Sequence, residues 1–252
     1  MTLGRIVIIA LILVFLIGFG GADTVLNFNG HWGTQEEIEG HDIDVGYLME
    51  AFNGSNVTVT DVNYSGGQLT EKSPFEYIDP IGEAIVECND TNIVIVGHSI
   101  APLMLVMAIE KYNQSHKIAG MISLGGMWGG VPFPIYQLLN ATMKNFRTDS
   151  KFVLETGPES EFVWWVKITR MNYPIVEIHG WVEMIFGVGG FDSTSIFVPR
   201  PGSKVITIVP AFHPLMYRNA EVEKTIVEES RILFSSHFLK TRKTNHYLKN
   251  AV

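Results

Sequence analysis

The pentapeptide Gly97-His98-Ser99-Ile100-Ala101 constrains the fold of this chain more than any other part of the sequence. It follows directly on the apolar run Asn92-Ile93-Val94-Ile95-Val96, which predicts a buried strand, and it precedes a run with helical propensity. A serine in a tight turn between strand and helix presents its hydroxyl at the top of a sheet, where it can attack a carbonyl. The residues two before and two after it must be small, because the two backbones pass close together there. Gly97 and Ala101 meet that requirement, so we predict that Ser99 is a nucleophile; a chance match to a short pattern of small residues is the alternative.

Strand and helix patterns alternate along the rest of the chain. Strands are predicted at residues 24–28, 57–62, 92–96, 118–124, 173–178 and 204–209, and helices at 43–52, 79–88, from the serine turn to about 112, and 221–234. Such alternation predicts an α/β fold with a mostly parallel sheet flanked by helices. We assign this domain to residues 23–252, and the basic tail after Ser236 is expected to be a solvated end.

The composition excludes several classes of function. A net charge of −8 offers no basic surface for nucleic acid. No pair of histidines or cysteines has ligand spacing on one helix face, and no phosphate-binding G-x-x-x-x-G-K-S/T motif is present. We therefore expect no metal and no other cofactor. Cys88 is the only cysteine, which excludes a disulfide within the chain. The sequence leaves the oligomeric state open.

Residues 1–22 are predicted to be a signal peptide or an N-terminal membrane anchor. After Arg5 no charged residue occurs from Ile6 to Ala22, and the segment ends in small residues. Its length is at the short limit for a membrane-spanning helix, which needs roughly 17–25 residues. A buried core helix is the alternative, but it would lack any polar face. We expect export of the domain, either secreted or held at a membrane through residues 6–22.

The asparagines support export independently. Six of the 14 asparagines begin an N-x-S/T triplet, several times the number expected from the serine and threonine content. These six are Asn53, Asn56, Asn63, Asn89, Asn113 and Asn140. The excess predicts glycan acceptors on exposed turns of an extracellular protein, although a surface rich in polar turns would produce part of it.

A nucleophilic serine needs a histidine to take its proton and an acid to orient that histidine. His213 follows the last predicted strand after a short loop, which brings it to the same edge of the sheet as Ser99. His98 lies inside the turn, with a side chain expected to point away from the hydroxyl. His179, at the end of a predicted strand, is a weaker competitor. We predict that His213 is the base.

Two carboxylates compete for the role of the acid. Asp192 lies in a glycine-flanked loop between the last two predicted strands, and Glu183 lies nearer the end of the penultimate strand. Either side chain could accept a hydrogen bond from the imidazole. We favour Asp192, because glycines suit a tight functional loop and Glu183 fits an ordinary helical turn.

The developing oxyanion needs hydrogen-bond donors. Gly30 and Gly33 allow the backbone after the first strand to bend, so that the amide of His31 points at the reacting carbonyl. The amide of Ile100, next after the nucleophile, is the expected second donor. Taken alone, the segment around His31 is equally well interpreted as a turn that ends a strand.

Together these motifs resemble the α/β-hydrolase superfamily, specifically its small lipases and esterases, from about Thr24 to Phe234. The serine pentapeptide resembles their nucleophile turn, and Asn29-Gly30-His31-Trp32-Gly33 stands where they carry H-G-x-G-G. The segment 190–196 is similar to their acid loop D-G-x-V, and Phe212-His213-Pro214-Leu215 to their histidine turn H-x-x-L.

The chain departs from the family pattern at three places. Asn29 replaces the usual histidine, Ala101-Pro102 replaces the commoner Gly-Gly, and Gly126-Met127-Trp128-Gly129 stands where many members have T-P-H-x-G. These departures leave the triad intact.

The resemblance implies a serine hydrolase that cleaves carboxylic (or thio-) esters, with an acyl or lipid substrate and the triad Ser99, Asp192 and His213. The aromatic-rich insertion at about 131–171 stands where the family places a cap over the nucleophile, and a packed helical layer over the sheet is the alternative. Two other functions remain open: a catalytically inactive module of this fold that binds lipid or protein, and an acyltransferase or thioesterase.

Overall fold

A computed structural model of the chain describes residues 23–28, 45–62, 64, 72–131, 137, 149–169, 171–180, 203–208, 211, 216 and 219–249. Along these residues the elements are β1 (Asp23–Phe28), α1 (Gly46–Ala51), β2 (Val57–Val62), α2 (Ile78–Glu87), β3 (Asn92–His98), α3 (Ala101–Lys111), β4 (Ile118–Leu124), α4 (Lys151–Glu155), α5 (Glu161–Ile168), β5 (Ile175–Gly180), β6 (Lys204–Ile208) and α6 (Ala220–Lys249). Two short 3₁₀ turns, Pro74–Tyr77 and Ser115–Lys117, precede α2 and β4.

The six strands form one sheet in the order β2-β1-β3-β4-β5-β6, and every neighbouring pair is parallel. The prediction of a mostly parallel sheet is therefore confirmed. The chain first builds outward from β1 to β2 and then crosses to the other side of β1 to form β3. This reversal between β1 and β3 is a topological switch point, and ligands of open parallel sheets bind outside the carboxyl ends of the strands at such a point.

Successive side chains of strand β3 point to opposite faces of the sheet, and both faces are buried. Ile93 and Ile95 pack in the core beneath α2, α3, α4 and α5, whereas Val94 and Val96 pack in the core beneath α1 and α6. All four side chains are fully buried. The apolar run that predicted this strand thus supplies both hydrophobic cores, and helices cover both faces of the sheet as expected.

The described part of the segment 131–171 forms a helical layer on the α3 side of the sheet. Ser150 and Ser160 cap α4 and α5 by accepting hydrogen bonds from backbone amides in the first turn of each helix. Phe152 and Phe162 are buried in the same core as β3, and the ring of Phe162 meets Phe75 edge to face at 5.1 Å. Residues 132–136 and 138–148 lie outside the described part, so the cap over the nucleophile stays a prediction.

Most predicted elements match the observed bounds within one to three residues, but the last helix does not. The sequence predicted an end near Phe234, and this bound was wrong because α6 continues to Lys249. The stretch from Ala220 to Lys249 contains neither proline nor glycine, so nothing in it interrupts helical hydrogen bonding. That the basic tail after Ser236 is solvated stays a prediction.

Among the described helices, none has the length and apolar character needed to cross a membrane. The predicted leader, residues 1–22, lies outside the described residues.

Candidate active site

Ser99 sits between the end of β3 and the start of α3 with a φ angle of 59°. A non-glycine residue rarely adopts this left-handed conformation, and such strain is concentrated at functional sites. The backbone is held on both sides: the Ser99 amide donates to the carbonyl of Leu124 at 2.9 Å, and its carbonyl accepts from the amide of Met127 at 2.9 Å. The end of β4 and the turn after it therefore fix the conformation of the predicted nucleophile.

The small residue before this turn is required by contact with α3. A Cβ atom on Gly97 would lie 2.7 Å from Cδ1 of Leu105 and 3.3 Å from Cγ of Pro102. Pro102 fits the first turn of α3 because the amides there have no partner within the helix. The strand and the helix therefore approach as closely as the sequence pattern predicted.

The side chain of Ser99 is fully buried, with 0% of its surface exposed. Its described neighbours in the two turns, Ile100, Met127 and Trp128, are apolar and buried as well. Among the described residues, the hydroxyl of Ser99 therefore lies beside apolar side chains.

A buried carboxylate holds the turn that follows β4. Glu177, in β5, is 1% exposed. Its Oε1 accepts from the amide of Gly126 at 2.7 Å, and its Oε2 accepts from the indole Nε1 of Trp128 at 2.8 Å. The turn has no room for a side chain at Gly126, since a Cβ atom there would lie 2.2 Å from Oγ of Ser123 and 2.6 Å from Nε1 of Trp128.

His179 lies two residues further along β5, on the same face as Glu177. Its Nε2 is 3.0 Å from Oε1 of Glu177, and both side chains are almost completely buried. Glu177 is thus the group that faces Nε2 of this second candidate base.

The carboxyl ends of all six parallel strands lie at the edge of the sheet that holds Ser99. β1 ends at Phe28, β5 at Gly180 and β6 at Ile208. The chain after β6 returns to the end of β5: a Cβ atom on Gly180 would lie 2.0 Å from the carbonyl oxygen of Ala211. This contact involves backbone two residues before His213.

No protein-family model matches the chain, and no curated protein matches it. Solved structures do. The chain is similar to a monoacylglycerol lipase from Paleococcus ferrophilus, with a TM-score of 0.58, 16% identity, and 85% of this chain and 94% of that chain covered. It is also similar to an esterase from Rhizomucor miehei, with a TM-score of 0.60, 12% identity, and 86% and 76% covered.

A third similar structure is a lipase-esterase related protein from Clostridium acetobutylicum, with a TM-score of 0.52, 17% identity, and 85% and 95% of the two chains covered. The chain has the α/β-hydrolase fold. The expected resemblance is thereby confirmed at the level of the fold.

Of the predicted site of this α/β-hydrolase fold, Ser99 and Ile100 lie within the described residues, side by side in the turn after β3. His31, Asp192 and His213 lie outside the described residues, and so does the rival acid Glu183. Their roles stay predictions.

Sequence reasoning missed one residue of this region, Glu177. The signal was present, because a glutamate inside the apolar strand Ile175–Gly180 has to find donors when it is buried. Which donors it meets depends on the pairing of Ser123 with Glu177 across β4 and β5. In the part of the chain that the structure describes, no cluster of three or more His, Cys, Asp or Glu could hold a metal.

Proposed function

We propose that this chain is a serine hydrolase that cleaves carboxylic (or thio-) esters of acyl or lipid substrates. The observation that carries the proposal is the left-handed backbone of Ser99 at the switch point of the sheet, fixed by hydrogen bonds on both sides. The similar structures include a monoacylglycerol lipase and esterases, which supports this class of chemistry.

In the proposed reaction Oγ of Ser99 attacks the ester carbonyl while His213 takes the hydroxyl proton. Asp192 orients the imidazole and stabilises its charged form. The amides of His31 and Ile100 donate to the oxyanion of the tetrahedral intermediate. Collapse of the intermediate expels the alcohol or thiol, which receives its proton from His213. Water then attacks the acyl-enzyme by the same route and releases the acid.

The deciding experiment replaces the nucleophile. Ser99→Ala is expected to lower kcat for short p-nitrophenyl esters by about 10⁴–10⁶, since the triad acts as a unit. The variant should also lose covalent labelling by a fluorophosphonate. Circular dichroism and the unfolding midpoint establish that it remains folded. Labelling that persists unchanged in the folded variant rules out Ser99 as the nucleophile.

A second candidate function is binding of a lipid or a protein without catalysis. It is favoured by the departures near the nucleophile, Ala101-Pro102 and Gly126-Met127-Trp128-Gly129. A folded wild-type protein that reacts with neither ester nor fluorophosphonate supports this candidate. An acyltransferase or thioesterase shares the triad chemistry, and acyl chains of graded length on oxygen esters and thioesters, with and without an acceptor alcohol, distinguish it.

We also propose that the domain is exported and carries glycans. Four of the six acceptor asparagines lie within the described residues, Asn53, Asn56, Asn89 and Asn113, and all four are exposed. Each lies in a segment that leads from a helix into the amino end of a strand. The glycans would therefore occupy the edge of the sheet opposite Ser99, where they leave the reacting edge open.

A further inference from the structure

The peptide group between Ser99 and Ile100 carries the proposed oxyanion donor. Its N–H belongs to Ile100, and its carbonyl, on Ser99, accepts the hydrogen bond from the amide of Met127 at 2.9 Å. Because a peptide group is planar and trans, a bond that fixes the direction of its carbonyl also fixes the direction of its N–H. The bond from Met127 also polarises the peptide, which strengthens the N–H as a donor.

Met127 is held in turn by the residues on either side of it. The amide of Gly126 and the indole of Trp128 donate to the two carboxylate oxygens of Glu177, at 2.7 and 2.8 Å. All of these groups are buried. One carboxylate therefore clamps the turn immediately before and immediately after the amide that bonds to Ser99.

We propose that Glu177 is a positioning residue that sets the direction of the Ile100 N–H through Met127, and so tunes stabilisation of the oxyanion. The inference rests on the proposed hydrolase function and adds a residue to the same site. In this proposal Glu177 acts through its hydrogen bonds to the turn after β4.

A carboxylate suits this task better than an amide, because both of its oxygens accept hydrogen bonds. A glutamine would direct its NH₂ group at one of the two donors, Gly126 or Trp128, and would lose that bond. Nε2 of His179 lies 3.0 Å from Oε1 of the same carboxylate.

The test compares Glu177→Gln, Trp128→Phe and the double variant with wild type. Trp128→Phe keeps an aromatic ring but removes the indole donor together with part of a buried ring system, so its unfolding midpoint is measured beside kcat. It leaves the side chains of Glu177 and His179 unchanged. The matched control is Glu229→Gln: Glu229 is also a buried glutamate, paired with Lys204 at 2.7 Å, but it lies on α6, away from the turn.

We expect kcat to fall roughly ten- to a hundredfold in Glu177→Gln, since removal of a whole oxyanion donor costs about 10²–10³. KM should stay within about twofold, because the lost interaction exists only in the transition state. Trp128→Phe should lower kcat in the same direction. The double variant should lose less than the product of the two single losses, because both changes act on one turn. Glu229→Gln should leave kcat unchanged even if it lowers the unfolding midpoint.

A folded Glu177→Gln with wild-type kcat overturns the proposal, and so does a change confined to KM. If Glu177→Gln does not fold, Trp128→Phe decides by the same criteria.

A second measurement does not depend on activity. If wild type proves inert toward esters and fluorophosphonate, the proposed function fails, and amide hydrogen exchange of Gly126 and Met127 decides the positioning role separately. Faster exchange at these two amides in Glu177→Gln or Trp128→Phe, but not in Glu229→Gln, supports the clamp; unchanged exchange overturns it.

Discussion

The amide of Met127 donates to the carbonyl oxygen of Ser99 at 2.9 Å, which ties the turn after β4 to the turn after β3. The Ser99 amide bonds in the opposite direction, to the carbonyl of Leu124 at 2.9 Å. A left-handed serine costs on the order of 1–3 kcal/mol and persists only where the surroundings determine it. Here the hydrogen bonds to Leu124 and Met127 hold the conformation of Ser99. Substitutions that shift β4, α3 or their contacts should therefore lower kcat even though Ser99 itself is unchanged.

The first prediction concerns the close approach of β3 and α3. Gly97→Ala places a Cβ atom 2.7 Å from Cδ1 of Leu105, so either the leucine or the helix has to move. Overpacking of this kind costs about 1–3 kcal/mol, and a displaced α3 should also lower kcat. The measurements are denaturant unfolding and ester turnover.

The control for this variant is Gly157→Ala, where the added Cβ atom would meet only the carbonyl of Leu154 at 3.8 Å. It should match wild type in both measurements. The double variant Gly97→Ala/Leu105→Ala removes the leucine methyl groups and should recover part of the lost kcat. Equal stability and activity of Gly97→Ala and Gly157→Ala would contradict the close approach.

The second prediction separates the two candidate acids. Asp192→Asn is expected to lower kcat by about 10⁴, because an amide holds the histidine in the wrong tautomer. Glu183→Gln should change kcat little. Both substitutions keep the shape of the side chain, so we expect both variants to fold and their kcat values can be compared directly. The reverse pattern moves the acid to Glu183 and leaves the rest of the mechanism in place.

The third prediction tests whether the segment that carries His213 depends on the end of β5. Gly180→Ala would place a Cβ atom 2.0 Å from the carbonyl oxygen of Ala211. The obstacle is backbone, which cannot rotate aside as a side chain can. We expect kcat and the rate of fluorophosphonate labelling to fall at least tenfold, by analogy with the cost of misplacing a catalytic group by about 1 Å. Wild-type rates in the folded variant would show that His213 is positioned independently of this contact.

Much of the fold was predictable because local patterns and tertiary packing agree in β3 and β4. A run such as Ile93–Val96 is too uniformly apolar for a half-exposed strand, so burial on both faces followed directly. The serine turn was predictable for the same reason, because the small residues Gly97 and Ala101 stand where strand and helix have to pass close together.

Two features needed three-dimensional information. The carboxylate of Glu177 meets Gly126 and Trp128 only because β4 and β5 pair in one particular register, which the sequence does not specify. The aromatic-rich insertion is the second case. Its aromatic residues in α5 lie on different sides of the helix: Phe162 is buried, whereas Trp164 and Trp165 are 53% and 41% exposed.

The fourth prediction concerns the leader and the glycans together. β1 begins at Asp23, immediately after the predicted leader, and the amide of Asp23 donates to the carbonyl of Asn56 at 3.3 Å. A retained anchor would therefore enter the bilayer beside Asn56, where a bulky glycan and its transferase have little space. If the leader is cleaved, Asn56 is as accessible as Asn89 and Asn113. We expect cleavage after Ala22 to accompany glycosylation at Asn56, and retention to leave Asn56 bare while the other two carry glycans. N-terminal sequencing of the exported protein measures cleavage of the leader, and glycopeptide mass spectrometry measures occupancy of the asparagines, with Asn56→Gln as the control for site assignment.

Two outcomes would contradict this prediction. An intact chain found in the cytosol without glycans contradicts export altogether. A retained leader together with a fully occupied Asn56 contradicts the steric link between the anchor and this glycan.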